Sequence, residues 1–205
     1  MAVWIKVCGV TSVEDALVAL DAGADALGVN FVPSSKRFVD VSVGRAVREA
    51  AEGRAEVVAV VADRSVEDLA ELRERTGIAW LQLHGNETPD ALHAALPRAY
   101  KAVRLATARD VDEARKFSGE KLLADAKVGS ELGGTGHTFD WRLVVELARE
   151  RPVVLAGGLT PENVAEAVRV ARPFGVDVAS GVESGDPRRK DPDRVRAFVR
   201  AARNA

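Results

Sequence analysis

The sequence predicts an α/β fold built as a single compact (β/α)8 TIM barrel over residues 1–205, and three observations predict it. Short runs rich in Val, Ile and Leu alternate with longer amphipathic stretches that carry charge on one face. Eight such runs occur, and eight near-continuously apolar strands, covered on both faces, favour a closed parallel barrel over an open doubly wound sheet. At 205 residues and 47% hydrophobic content, the chain can bury one good core but is too short for two ordinary domains.

The first run, 3–8, leads into Thr11-Ser12-Val13-Glu14, where a hydroxyl residue can cap free amides and the glutamate can reach back, so a helix starts there. That helix ends in Ala22-Gly23, a glycine stop that feeds directly into the second run, 24–31. Runs 56–61, 79–83 and 100–103 follow, separated by helical patterns. After the sixth run, 121–125, comes the one long stretch without periodicity, 127–138, with glycines at 129, 133, 134 and 136 and a helix beginning near Asp140. A loop of that length in a compact barrel is usually functional, and its glycines predict disorder without ligand. The seventh run is 153–156, with Thr160-Pro161-Glu162-Asn163 reading as the next helix start, and 175–179 closes the set.

Composition narrows the function classes. Lys and Arg number 29 against 31 Asp and Glu, a formal charge of −2, which gives no reason to expect nucleic acid or an anionic membrane as partner. An anionic substrate must then be caught locally, by backbone amides and a few chosen cations. With one cysteine no intramolecular disulfide forms, so a reducing, cytoplasmic setting is expected and the thiol is free for chemistry. The first residues lack the pattern of a signal peptide, and no stretch approaches the ~20 apolar residues of a membrane span. No charged tail or sequence repeat points to a scaffold role.

In such barrels, catalytic groups project from the C-terminal ends of strands. This filter returns Cys8, Asn30, Arg37, His84, Asp125 and the glycine clusters after strands six, seven and eight. Gly157-Gly158 and Ser180-Gly181 can present bare amides to a phosphate, with Gly134 and Gly136 closing over it. One such pair alone reads better as ordinary turn glycines; two pairs after these two strands favour phosphate. Cys8 is either a small buried hydrophobe or a working thiol, with Lys6 or Arg37 as the cations that could lower its pKa. Strand alternation leaves the direction of the Lys6 side chain open. Asp125 is either a cap or loop carboxylate, or an acid whose pKa rises in an apolar rim. His84 reads as a hydrogen-bonded histidine of the pocket. His84, His93 and His137 are scattered and no zinc-like spacing occurs, so neither a metal nor another cofactor is implied.

With these residues in view, the chain resembles the phosphoribosylanthranilate isomerase family over essentially its whole length. Lys6-Val7-Cys8-Gly9-Val10-Thr11 is similar to that family's opening motif, and Ser35-Lys36-Arg37-Phe38-Val39 to its second loop. Gln82-Leu83-His84-Gly85, Gly133-Gly134-Thr135-Gly136, Leu155-Ala156-Gly157-Gly158-Leu159 and Asp177-Val178-Ala179-Ser180-Gly181-Val182-Glu183 complete an ordered series. The resemblance implies an Amadori rearrangement of N-(5-phosphoribosyl)anthranilate in tryptophan biosynthesis, by a monomer or homodimer acting on a phosphorylated small molecule. It further implies Cys8 as general base, Asp125 as general acid, Arg37 on the anthranilate carboxylate, and His84 and Asp177 in the pocket, with Asp177 on the sugar hydroxyls.

The chain departs from the family pattern at Gly28-Val29-Asn30-Phe31 and at Val60-Val61-Ala62-Asp63-Arg64, which is expected to alter the pocket wall near the anthranilate ring. A histidine-pathway aminoaldose isomerase would need an aspartate where Cys8 stands, and an epimerase of ribulose phosphate would need metal ligands that are absent. A phosphate-binding barrel without turnover would have no reason to combine Cys8, Asp125 and Arg37.

Overall fold

The computed structural model describes residues 2–125 and 141–205. Its first half runs β1 (Trp4–Cys8), α1 (Val13–Asp21), β2 (Ala26–Asn30), α2 (Val41–Ala50), β3 (Glu56–Val61), α3 (Val66–Thr76), β4 (Trp80–Leu83) and α4 (Pro89–Ala95). The second half runs β5 (Ala99–Arg104), α5 (Ala108–Ala114), β6 (Leu122–Asp125), α6 (Arg142–Glu150), β7 (Val153–Ala156), α7 (Val164–Ala171), β8 (Gly175–Val178), a 3-10 turn (Ser180–Val182) and α8 (Pro192–Arg203). The strands are all parallel and close in sequence order, with β8 pairing back onto β1. The fold is the (β/α)8 barrel that the apolar runs predict. No helix among the described residues is long and apolar enough to cross a membrane.

Strand alternation builds two layers of core. Ile5, Val7, Leu27, Val29, Leu81, Leu83, Leu122 and Leu155 point outward and fill the space beneath the helices. Inside the barrel, Val58, Tyr100, Ala102, Leu123, Val154 and Ala156 pack with Trp4 and Trp80. The floor is closed by Lys121, whose Nζ lies 4.2 Å from the Trp80 ring centre and 4.7 Å from that of Trp4. Lys121 is buried there, held over the aromatic faces and 3.5 Å from Glu56 Oε2.

Local chemistry matches most expected boundaries. Ser12 caps α1 by accepting from the Asp15 amide at 3.1 Å, while Glu14, expected to reach back, pairs instead with Arg189 at 3.1 Å. Strand two is shorter than 24–31 and strand five longer than 100–103. The helix expected at Thr160 starts only at Val164, because 160–163 is wound into a turn. There the Asn163 side chain accepts from the Thr160 amide at 2.8 Å and donates to the Gly158 carbonyl at 3.0 Å. The glycine loop 127–138 lies outside the described residues.

Leu122 is wholly buried in the outer layer. Leu122→Ala should lower the unfolding free energy by about 2–5 kcal/mol, seen as a lower urea midpoint; a loss below about 0.5 kcal/mol would mean that this layer is not close-packed.

Candidate active site

The open mouth gathers most of the residues that the sequence nominates. Cys8 ends β1 and Asp125 ends β6, three strand positions apart around the closed sheet. His84 follows β4 directly, Asp177 lies in β8, and Arg37 sits in the loop between β2 and α2. Gly157 and Gly158 follow β7, and Ser180 and Gly181 open the 3-10 turn after β8. Gly134 and Gly136 lie outside the described residues. Asn30 turns back into its own loop, its Oδ1 accepting from the Val32 amide at 2.8 Å.

A polar network below the mouth joins these positions. Lys6 points inward and has no exposed surface; its Nζ donates to Asp177 Oδ1 at 3.0 Å and to Gln82 Oε1 at 2.9 Å. Tyr100, also fully buried, donates its hydroxyl to the same Gln82 oxygen at 3.0 Å. An ammonium can only donate, so the Gln82 amide has one orientation: Oε1 toward Lys6 and Nε2 toward His84. Gln82 Nε2 is 2.9 Å from His84 Nδ1, and the pattern assigns Nδ1 as acceptor and the ring proton to Nε2. His84 Nε2 then faces Asp125 Oδ2 at 3.7 Å. One chain of polar contacts thus runs from Asp177 on β8 to Asp125 on β6.

Cys8 is packed against that network. A methyl group on Gly28, across the β1–β2 pair, would come within 2.7 Å of Cys8 Sγ and 3.0 Å of Lys6 Cε, so the bare glycine leaves room for both. Burial pushes the Cys8 thiol up and Asp177 adds to this, while Lys6 and Lys190 pull the other way. Cationic neighbours act in the expected sense, but they do not bring the resting thiol down. For Lys6, burial works against the ammonium, yet Asp177, Cys8 and Tyr100 outweigh it and hold its pKa above the ordinary lysine value.

Arg37 is held from two sides. Its Nε donates to Glu183 Oε1 at 2.5 Å, which raises the pKa of the guanidinium against the cost of partial burial. Its aliphatic stem lies over Gly9, where a Cβ would collide with Arg37 Cδ, and the backbone φ of Gly9 is +73°. The Glu183 carboxylate also faces Lys190 Nζ at 3.5 Å, and Lys190 donates to the Ala179 carbonyl at 3.2 Å. Burial pulls the Lys190 pKa down, with Glu183 and Cys8 opposing. The loop after β8 therefore steers the arginine of the loop after β2.

Next to these cations lies the glycine-lined end of the mouth. Gly157 and Gly158 have φ of +93° and +66°, a conformation open to glycine. Gly181 packs against the Leu159 carbonyl, so the turns after β7 and β8 are in contact, and α7 follows the first of them from Val164.

The departures at 62–64 make contacts between loops. Asp63 Oδ1 accepts from the Asn86 amide at 2.6 Å, and Arg64 Nη2 donates to the Phe31 carbonyl at 3.0 Å. Ala62 and Asp63 border a cavity of about 720 Å³ that His84 also lines. Sequence reasoning missed Gln82, Tyr100, Glu183 and Lys190 as contributors; Gln82, two residues before His84 and on the same strand face, was open to detection by alternation.

Two outcomes follow. Cys8 is 9% exposed with a raised pKa, so iodoacetamide at pH 8 should modify it at least about tenfold more slowly than a free thiol with its pKa near 8.5; equal rates would contradict the burial. Gly9→Ala should raise KM more than it lowers kcat, by displacing Arg37, and an unchanged KM would contradict that placement.

Comparisons with known proteins give the chain a family. Residues 5–201 match the family described as N-(5'phosphoribosyl)anthranilate (PRA) isomerase. The N-(5'-phosphoribosyl)anthranilate isomerase of Myxococcus xanthus is 44% identical over 209 residues, covering 100% of this chain and 98% of its own length. That of Neisseria gonorrhoeae is 44% identical over 200 residues, covering 96% of this chain and 95% of its own. The crystal structure of the Thermotoga maritima phosphoribosyl anthranilate isomerase superposes with a TM-score of 0.89 at 36% identity, covering 99% of this chain and 100% of that one. A phosphoribosyl anthranilate isomerase in complex with reduced 1-(o-carboxyphenylamino)-1-deoxyribulose 5-phosphate gives 0.86 at 34% identity, with the same coverage. Another structure is of monomers generated from the dimeric Thermotoga maritima enzyme, with a TM-score of 0.84 at 34% identity. The chain belongs to the N-(5'-phosphoribosyl)anthranilate isomerase family.

Proposed function

We propose that Cys8 and Asp125 are the base and acid by which this single-domain barrel performs the family's reaction in tryptophan biosynthesis. The reaction converts N-(5-phosphoribosyl)anthranilate into 1-(2-carboxyphenylamino)-1-deoxyribulose 5-phosphate. The observation that carries this reading is the placing of a thiol and a carboxylate on separate walls of one mouth, joined beneath by the Lys6, Gln82 and His84 contacts.

The chemistry divides between the two walls. Asp125 gives a proton to the ribose ring oxygen as the bond from C1 to that oxygen breaks, and the anthranilate nitrogen lone pair forms a C1=N iminium. That cation acidifies the proton on C2, which the Cys8 thiolate removes, leaving an enolamine. Proton return to C1 and loss of the C2 hydroxyl proton give the ketone. Lys6, Lys190 and the transient iminium are all positive, so each favours the thiolate that burial disfavours. The reaction needs no electron transfer and uses only groups that the chain supplies.

Binding groups fix the pose. Arg37 takes the anthranilate carboxylate through guanidinium nitrogens beyond the Nε that Glu183 occupies. Asp177 meets the sugar hydroxyls while anchored by Lys6. The amides at Gly157, Gly158, Ser180 and Gly181 cradle the phosphate, joined by Gly134 and Gly136. Holding both ends of a flexible substrate turns proton transfer into a step between fixed partners. A cytoplasmic monomer or homodimer, with neither nucleic acid nor membrane as partner, completes the proposal.

The test is turnover of freshly generated phosphoribosylanthranilate, followed by loss of its fluorescence. Cys8→Ser and Asp125→Asn should each lower kcat by about 10²–10⁴-fold while binding the reduced product analogue as wild type does. Full activity in either variant would remove that residue from its role.

A further inference from the structure

The proton transfers above employ Cys8 and Asp125, yet the centre of the site is a lysine that touches neither bulk water nor, in that scheme, the substrate. We propose that Lys6 is a positioning residue for this reaction, whose ammonium holds the Cys8 sulfur, the Asp177 carboxylate and the Gln82 amide in one fixed relation. The inference rests on the isomerase reading of Cys8 and Asp177.

An ammonium has three donors and no acceptor. Two of them are taken, by Asp177 Oδ1 at 3.0 Å and Gln82 Oε1 at 2.9 Å. Cys8 is the neighbour on the remaining side: its sulfur and Lys6 Cε both lie within 3.0 Å of the one point where a Cβ on Gly28 would stand, and the Lys6 charge favours the thiolate. Its three partners have three different tasks. Cys8 is the base, Asp177 holds the sugar, and Gln82 sets the His84 ring so that Nε2–H faces Asp125. Lys6 and Asp177 are also register partners on the adjacent strands β1 and β8, so the sheet itself fixes their spacing.

Stability alone does not account for this arrangement. A buried ion pair costs about as much in desolvation as it returns, and apolar residues of similar volume often replace one without loss. A charged lysine beneath the mouth therefore points to what it does for its neighbours. The groups facing Cys8 are Lys6 on its own strand, Asp177 on β8, Tyr100 on β5, Arg37 in the loop after β2, and Lys190 in the loop after β8. Asp177 and Lys6 act on the sulfur with opposite sign, and this gives a signature that a packing role lacks.

The experiment measures the iodoacetamide rate at Cys8, at pH 8, in wild type, Lys6→Met, Asp177→Asn and the double variant, with circular dichroism confirming the fold. Lys6→Met should slow alkylation by about tenfold, because it lowers the thiolate fraction, and Asp177→Asn should speed it. The double variant, which removes both charges of the pair together, should be slower than Asp177→Asn. Lys6→Arg should restore much of the wild-type rate. A folded Lys6→Met that alkylates as fast as wild type overturns the proposal. If Lys6→Met does not fold, equal rates in the double variant and Asp177→Asn overturn it, and a slower double variant supports it. Wild-type turnover is assayed in parallel: its absence would sink the isomerase reading, whereas the alkylation order judges the Lys6–Cys8 contact independently of turnover.

Discussion

The fully buried ammonium of Lys6 is the constraint around which the mouth of this barrel is arranged. It lies in the layer above the Lys121 floor and below the open rim, where water is excluded and every donor needs a protein acceptor. Asp177 and Gln82 supply two acceptors, and Tyr100 shares the second. Because an ammonium cannot accept, its presence fixes the polarity of everything attached to it, out to the His84 edge that faces Asp125. A hydrophobic residue at this position would fill the same space but would leave the Gln82 amide free to flip and Asp177 without its cation.

Around that centre the barrel keeps stability and chemistry on different faces of the same strands. Outward residues such as Ile5, Val7, Leu81, Leu83, Leu122 and Leu155 are wholly or nearly wholly buried under helices and carry the packing. Among the inward residues, Lys6 and Asp177 carry charge. In the proposed reading the loops divide the substrate between them, the loop after β2 offering a cation and the turns after β7 and β8 offering amides; Glu183 ties the two regions by holding Arg37. Lys190, whose side chain has no exposed surface, sits between Glu183 and the Ala179 carbonyl and brings a second positive charge toward Cys8.

Much of this was legible in the sequence, and the exceptions have physical causes. The eight apolar runs identify the strands because parallel strands buried on both faces need little else, and their ends place Cys8 and Asp125 at the mouth. The same continuity hides which way a side chain points: in Trp4-Ile5-Lys6-Val7-Cys8 either alternation phase is plausible, so the inward turn of Lys6 emerges only from contacts across the barrel. The grip of Glu183 on Arg37 joins residues 146 apart in sequence, beyond the reach of local pattern. The late start of α7 reflects a competing turn, in which the Asn163 side chain satisfies backbone groups that a helix would have claimed. The elevated Cys8 pKa was the hardest to read, since burial and Asp177 outweigh two lysines whose positions depend on the closed barrel.

The most direct measurement of the central claim is a crystal structure of this protein with reduced 1-(o-carboxyphenylamino)-1-deoxyribulose 5-phosphate. The account predicts the analogue's carboxylate on Arg37, its phosphate on the amides after β7 and β8, and the sugar carbon equivalent to C2 in van der Waals contact with Cys8 Sγ, with Lys6 still bridging Asp177 and Gln82. An analogue bound with its sugar carbons turned away from Cys8, or with its carboxylate distant from Arg37, would contradict it.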